Sequence, residues 1–136
     1  MVSQTKLSGR TSLIAYWIAT GAIACAMLFG GLADLLHHPY ANRTMAHLGL
    51  PGYFQDILGA WKLLAVLALL TPGTPRLKEW AYAGIVFDCS GAVFAHAASG
   101  DRVELLAPTF ALGLAMCSWA LRPPSRRLGS VLLSEP

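Results

Sequence analysis

The chain has 136 residues, of which 55% are hydrophobic and only 12% are charged. A soluble domain of this size normally carries about 25% charged residues, so the composition indicates that long segments have lipid as their solvent. The formal net charge is +3, and the sequence has no basic patch with interleaved aromatic residues, which excludes nucleic acid as a partner.

Four apolar stretches of about bilayer-spanning length follow one another along the chain. They cover residues 13–36, 53–71, 79–98 and 103–121. Residues 1–12 are then a cytoplasmic N-terminal arm, and residues 122–136 are predicted to be a disordered cytoplasmic tail. The first stretch exceeds the apolar core of a signal peptide, about 7–15 residues, and is predicted to be a retained helix. The predicted fold class is an all-α, polytopic membrane protein with a bundle of four transmembrane helices.

The connections between these stretches carry turn signals. TPGTP at 71–75 and SGD at 99–101 predict tight turns. The longest connection, residues 37–52, is predicted to contain one or two turns of interfacial helix. Asn42 or Thr44 would cap that helix, and Gly49 would end it.

The basic residues outside the apolar stretches are distributed unevenly. Only Arg43 and Arg102 fall on one side of the predicted bundle. The other side holds seven: Lys6, Arg10, Arg76, Lys78, Arg122, Arg126 and Arg127. Because positive residues are retained in the cytoplasm, both termini are predicted to be cytoplasmic.

Two opposite charges lie near the middle of neighbouring stretches. Lys62 is central in 53–71 and Asp88 is central in 79–98. An unpaired charge at this depth costs about 2.5–3.5 kcal/mol on insertion scales, so the two side chains are predicted to form an ion pair. Such a pair either serves a function or only fixes the register of the helices, and the sequence leaves both alternatives open.

Small residues recur at helical spacing around Asp88. A stripe of this kind allows membrane helices to approach closely, so it is predicted to pack against a neighbouring helix. Its members are Ala81, Gly84, Asp88, Gly91, Ala95 and Ala98.

The four histidines fall together at the end of the bundle opposite the basic residues. The simplest interpretation is that they are polar helix ends. His96 is the candidate for a functional role, since it lies two turns beyond Asp88 and could line one polar path with Asp88 and Lys62. The spacing predicts no metal site. The candidate catalytic residues are thus Lys62, Asp88 and His96, and the candidate pocket residues are Asp34, Gln55, Asp56 and Cys89.

The run RLKEWAYAGIVFDCSGAVFAHAASGD at 76–101 closely resembles the DoxX-like family of small bacterial membrane proteins. Further matching pieces are LFGGLADLL at 28–36, HLGLPGYF at 47–54 and ILGAWKLLAVLALLTPG at 57–73, so the resemblance extends over about residues 14–121. It implies a four-helix fold in the bacterial cytoplasmic membrane. Asp34 stands where relatives often have a lysine.

The resemblance also implies an association with redox chemistry, because the wider superfamily includes membrane subunits of thiosulfate:quinone oxidoreductases and proteins linked to thiol stress. The first functional hypothesis is therefore a module for quinone-linked or thiol redox chemistry that binds a lipophilic ligand and a partner oxidoreductase. The alternatives are an isomerase or cyclase that uses Lys62 and Asp88 for acid–base catalysis, and a non-catalytic assembly subunit. A haem protein with histidine ligands is a weaker alternative, and homo-oligomerisation stays open.

Overall fold

The computed structural model describes residues 2–128, with side chains from residue 9 onward. The described residues form five α-helices: α1 (Val2–Leu35), α2 (Pro39–His47), α3 (Gly52–Leu70), α4 (Pro75–Ala98) and α5 (Leu106–Ala120). A short 3₁₀ turn follows at Pro124–Arg126. The described residues contain no strand, which confirms the all-α prediction. Most of the predicted disordered tail, residues 129–136, lies outside the described part of the chain.

Three helices are long and apolar enough to cross a membrane. They are Gly9–Leu35 within α1, α3 and α4, and the prediction of a multi-pass membrane protein is confirmed at this level. The fourth apolar helix, α5, has 15 residues and is shorter than predicted, because residues 101–105 form a turn. At the other end of the chain, α1 begins at Val2, inside the segment predicted as a separate arm.

The long helices form a ring in which α1 contacts α3 and α5, and α4 contacts the same two helices from the opposite side. The closest approach is between α1 and α3. A Cβ atom added to Gly59 would lie 2.9 Å from the Gly31 carbonyl oxygen, so this crossing requires glycine. Side chains from all four helices fill the centre of the ring.

Polar side chains link three of these helices in the core. The hydroxyl groups of Thr20 on α1 and Ser118 on α5 are 2.6 Å apart, and the Tyr82 hydroxyl on α4 lies 2.7 Å from the same serine oxygen. All three residues are buried, and each hydroxyl group has another of the three as its hydrogen-bond partner.

The small-residue stripe of α4 does not pack as predicted. A Cβ atom added to Gly84 or Gly91 would meet nothing within 4 Å. The buried face of α4 is rotated by about one residue and presents Tyr82, Ile85 and Cys89 to the core. The prediction of tight packing along the stripe is therefore wrong for both glycines, which leave open space beside the helix.

The basic end of the bundle, defined by Lys78, Arg122 and Arg126, is more buried than the sequence predicted. Lys78 is not a loop charge: only 1% of it is exposed, and its ammonium donates to the carbonyl oxygens of Ala68, Leu69 and Thr71 at the end of α3. These carbonyls lack partners within their own helix, so Lys78 caps α3 from the next helix.

Glu79 belongs to the same end of the bundle. It accepts a 2.8 Å hydrogen bond from Arg122. The Arg122 guanidinium lies over the Tyr82 ring, 5.0 Å from the centroid. Glu79 therefore joins α4 to the end of α5.

The predicted interfacial helix exists as α2, with a different cap. Its N-cap is His38, whose Nδ1 accepts from the Tyr40 amide at 3.3 Å. Asn42 and Thr44 lie inside the helix and donate to backbone carbonyls, so the prediction that one of them caps it is wrong.

Candidate functional site

Three helices bring charged side chains together in the middle of the bundle. The Lys62 Nζ of α3 lies 2.8 Å from Asp34 Oδ2 of α1 and 3.9 Å from Asp88 Oδ2 of α4. The predicted proximity of Lys62 and Asp88 is present, but the principal partner of the ammonium is Asp34. At 3.9 Å the contact with Asp88 is an ion pair and too long for a hydrogen bond.

Asp34 is held firmly in this position. Its side chain is only 7% exposed, and its carbonyl oxygen accepts a 3.0 Å hydrogen bond from Gln55 Nε2. Gln55, itself 1% exposed, therefore fixes the end of α1 against α3. It was predicted to line the pocket, but it is not among the residues that line the groove. Asp34 was predicted as a pocket residue, and its pairing with Lys62 was not predicted.

An apolar groove of about 630 Å³ runs between α3 and α4, and Lys62 and Asp88 open into it. The small-residue stripe forms one wall, with Gly84, Gly91 and Ala95 leaving the space that larger side chains would fill. Among the described residues that line the groove, Lys62 and Asp88 are the only charged ones. The other lining residues are Met27, Met45, Leu48, Leu50, Phe54, Leu58, Trp61, Leu64, Ala65, Ala68, Leu77, Trp80, Ala81, Ile85, Phe87 and Ala92.

Asp88 presents its carboxylate to this groove. Its side chain is 21% exposed, and neither of its oxygens accepts a hydrogen bond from the described side chains of residues 9–128. The Lys62 side chain is 18% exposed beside it and has ammonium hydrogens beyond the one directed at Asp34. The groove therefore offers one hydrogen-bond acceptor and one donor at the same depth.

The histidine end of the bundle, defined by His37, His47 and His96, contains a separate cluster. Asp101 accepts from His96 Nδ1 at 2.8 Å and from His47 Nε2 at 2.9 Å. The hydrogen bond from His96, followed by that from His47, holds the pKa of Asp101 below its usual value. His96 does not line the groove, so the predicted path joining it to Lys62 and Asp88 is absent from the described structure.

The remaining predicted pocket residues lie away from the groove. Asp56 pairs with His37 at 2.9 Å, and both side chains are about half exposed. Cys89 is buried in the core next to Asp88, whereas Cys25 and Cys117 are exposed on the helix surfaces. Of the predicted site residues, Lys62 and Asp88 thus meet each other at the groove, and Asp34 joins them from behind.

The connection after α2 covers the groove at the histidine end. Met45 of α2 and Leu48 and Leu50 after it line the groove there, while Leu77 and Trp80 line it at the basic end. The His47–Asp101 contact ties the end of α2 to the α4–α5 turn. The groove thus extends along most of the α3–α4 pair, with the charged groups about halfway along it.

Comparison with protein families matches residues 18–118 to the model of the DoxX-like family. The chain belongs to the DoxX-like family. No match was found among curated proteins or among solved structures. In this DoxX-like protein the matched segment contains the three charged residues and every groove-lining residue, whereas Arg122 and Arg126 lie beyond it. The groove is therefore built entirely from the part of the chain that defines the family.

Proposed function

We propose that this chain is an integral membrane protein that binds a lipophilic small molecule in the groove between α3 and α4. The observation that carries the proposal is the combination of an apolar space of about 630 Å³ with Lys62 and Asp88 at its centre. Ligand sites are typically apolar clefts of about 300–1,000 Å³ with a few polar groups that fix orientation. Here the apolar walls would hold the body of the ligand, and the two charges would meet its polar head.

A quinone or quinol is one ligand class that fits these groups. A Lys62 ammonium hydrogen can be donated to a quinone oxygen, and Asp88 can accept from a quinol hydroxyl group. This chemistry supports the redox association implied by the wider superfamily, with a partner oxidoreductase supplying the electron transfer. The thiol branch of that hypothesis has less support, because Cys89 is buried in the core and outside the groove.

The second candidate function is acid–base catalysis on a lipophilic substrate. The specific observation in its favour is that a carboxylate and an ammonium lie 3.9 Å apart and both open into one groove. A non-catalytic assembly subunit is the third candidate, in which the charges only hold the helices in register.

The test is to fill the groove without touching its charges. Gly84→Leu places a side chain in the open space beside α4, and Gly113→Leu on α5 is the matched control, since both glycines have no neighbour within 4 Å and Gly113 is outside the groove. Each variant is purified in lipid nanodiscs from the native host membrane, and the bound small molecules are identified by mass spectrometry.

We expect wild type and Gly113→Leu to retain a lipophilic compound that Gly84→Leu loses. The same compound profile in all three proteins would contradict the proposed binding site. A quinone among the retained compounds would favour the redox module, and turnover that is lost in Lys62→Met with binding intact would favour the enzyme.

We also propose that α1, α3, α4 and the shorter apolar helix α5 all cross the bacterial cytoplasmic membrane, with both termini in the cytoplasm. The charge distribution supports this orientation, since seven basic residues lie in the N-terminal segment, between α3 and α4 or after α5, and only two lie on the other side of the predicted bundle. A C-terminal fusion to green fluorescent protein should fluoresce, whereas a fusion to alkaline phosphatase should be inactive. The reverse pattern would show that the C-terminus is outside.

A further inference from the structure

The charges at the groove do not balance. Asp34 and Asp88 are two carboxylates, and Lys62 is the one ammonium between them. The shorter contact, 2.8 Å, commits the ammonium to Asp34, whose side chain is 7% exposed and does not line the groove. With both carboxylates ionised, the site therefore carries one negative charge, and it is located on the Asp88 side that opens to the groove.

The other elements around Asp88 provide no further cation. Helix α5 contains no charged residue in its range, and the neighbouring thiol of Cys89 is buried in the core. On α2, Arg43 donates to its own helix at the Pro39 carbonyl oxygen. Among the side chains of residues 9–128, the charged groups facing Asp88 are thus Lys62 from α3 and Asp34 from α1.

A carboxylate in an apolar surrounding requires either a proton or a cation, because an isolated ion is costly to transfer from water. A proton neutralises Asp88 but leaves the groove unused. A cation with a hydrophobic body satisfies both the charge and the apolar walls. Trp61 and Trp80 also line the groove, and aromatic side chains attract cations through their π electrons.

We propose that the groove selects a hydrophobic monocation, of the lipophilic ammonium class, which competes with a proton for the Asp88 carboxylate. This inference rests on the proposed ligand site and narrows its ligand class. The cation would place its charge against Asp88 and its apolar body along the α4 stripe. A ligand with a negatively charged head would meet the same carboxylate and be repelled.

The experiment compares two probes of similar shape and opposite charge. Tetraphenylphosphonium is a hydrophobic monocation and tetraphenylborate is its anionic counterpart. Their binding to the purified full-length protein in nanodiscs is measured by equilibrium dialysis, with protein-free nanodiscs of the same lipid as the blank. We expect saturable binding of the cation and none of the anion above the blank.

The Asp88→Asn variant, which keeps the shape and removes the charge, should weaken cation binding at least tenfold. Glu104→Gln makes the same chemical change in the exposed segment before α5 and should bind like wild type. Circular dichroism on each variant shows whether it is folded. If Asp88→Asn does not fold, the proposal is tested by measuring tetraphenylphosphonium binding to the wild-type protein over a series of pH values.

In that series, the dissociation constant of tetraphenylphosphonium should rise tenfold for each pH unit below the pKa of Asp88, since one proton competes with one cation. A dissociation constant that does not rise on acidification while the protein stays folded would overturn the proposal, as would equal binding of the anion. Unchanged binding in a folded Asp88→Asn variant would do the same.

Two further results separate this inference from the proposed function. If a neutral or anionic compound co-purifies and is lost in Gly84→Leu, the groove binds a ligand as proposed, and only the inference that this ligand is a cation is wrong. If native mass measurements show a dimer that Gly84→Leu dissociates, a second copy of the chain fills the groove and both proposals fail.

Discussion

The contact between α1 and α3 can be tested by a single added methyl group. A Cβ atom on Gly59 would lie 2.8 Å from Leu35 Cγ, 2.9 Å from the Gly31 carbonyl oxygen and 3.0 Å from Asp34 Cβ. Carbon atoms pack favourably at about 3.5–4.0 Å. The Gly59→Ala variant must therefore push α1 away from α3 by several tenths of an ångström at the place where Asp34 meets Lys62.

The expected loss of stability follows from two opposing effects. Overpacking of a well-packed contact costs about 1–3 kcal/mol. Replacement of glycine by alanine within a helix returns about 1 kcal/mol through helix propensity. We therefore expect Gly59→Ala to lower the free energy of unfolding by up to about 2 kcal/mol relative to wild type. The Leu35 tip can move, but the Gly31 oxygen belongs to the backbone and cannot move without its helix.

The matched control is Gly21→Ala on α1, where an added Cβ meets nothing within 4 Å. This variant gains propensity without a clash and should be as stable as wild type or up to about 1 kcal/mol more stable. Both variants are unfolded by SDS in mixed micelles and followed by circular dichroism. Equal stability of Gly59→Ala and Gly21→Ala would refute the close approach of α1 and α3.

Three further variants test contacts at the two ends of the bundle. Lys78→Met removes the ammonium that caps α3, and we expect a loss of about 1–3 kcal/mol in the same SDS assay; no loss would show that the capping bonds are unimportant. For Asp101, the lowered pKa means that its contacts with His47 and His96 stabilise the fold above its usual pKa, about 3.9, and are lost as the pH falls through the lower folded value. Asp101→Asn should therefore reduce the fall in stability that we expect for wild type below about pH 4, and an unchanged pH profile would contradict this. His37 adopts a left-handed conformation with φ of 49° at the end of α1, so His37→Gly should raise the free energy of unfolding by about 0.5–1 kcal/mol, provided that the exposed contact with Asp56 contributes little. A destabilised His37→Gly protein would show that the lost contact with Asp56 outweighs the relief of the left-handed backbone conformation.

The sequence was sufficient to predict the helical segments, because their apolar length is a direct response to the thickness of the bilayer. It also predicts that Lys62 and Asp88 lie at the same depth in the membrane, since both are near the centres of neighbouring helices. For α3 and α4, depth along the bundle can be read from position in the helix. Rotation about each helix axis cannot be read in the same way, and rotation decides which carboxylate the ammonium meets.

Asp34 and Lys78 illustrate what the sequence did not reveal. Asp34 lies three residues before His37, near the end of α1, and its pairing with Lys62 depends on how closely α1 and α3 cross. Lys78 follows a proline–glycine turn and was counted as a loop charge. Its burial arises because α4 begins at Pro75 and turns its first residues toward the open carbonyls of α3.

The small-residue stripe was also ambiguous in sequence. Gly31 and Gly59 are used for close packing, whereas Gly84 and Gly91 leave an open groove, although each is a glycine in an apolar helix. A glycine removes volume in both cases. Whether a neighbouring helix or a ligand takes that volume depends on the packing of the rest of the bundle.

This difference between the two helix pairs gives the site its asymmetry. Tight packing of α1 on α3 brings Asp34 within 2.8 Å of Lys62 and buries it. Looser packing of α4 beside α3 leaves Asp88 at 3.9 Å, with part of its side chain exposed to the groove. One carboxylate is therefore used to hold the ammonium inside the bundle, and the other stays available to a molecule entering from the lipid. Exchanging the two roles would require α4, and not α1, to cross α3 at a pair of glycines.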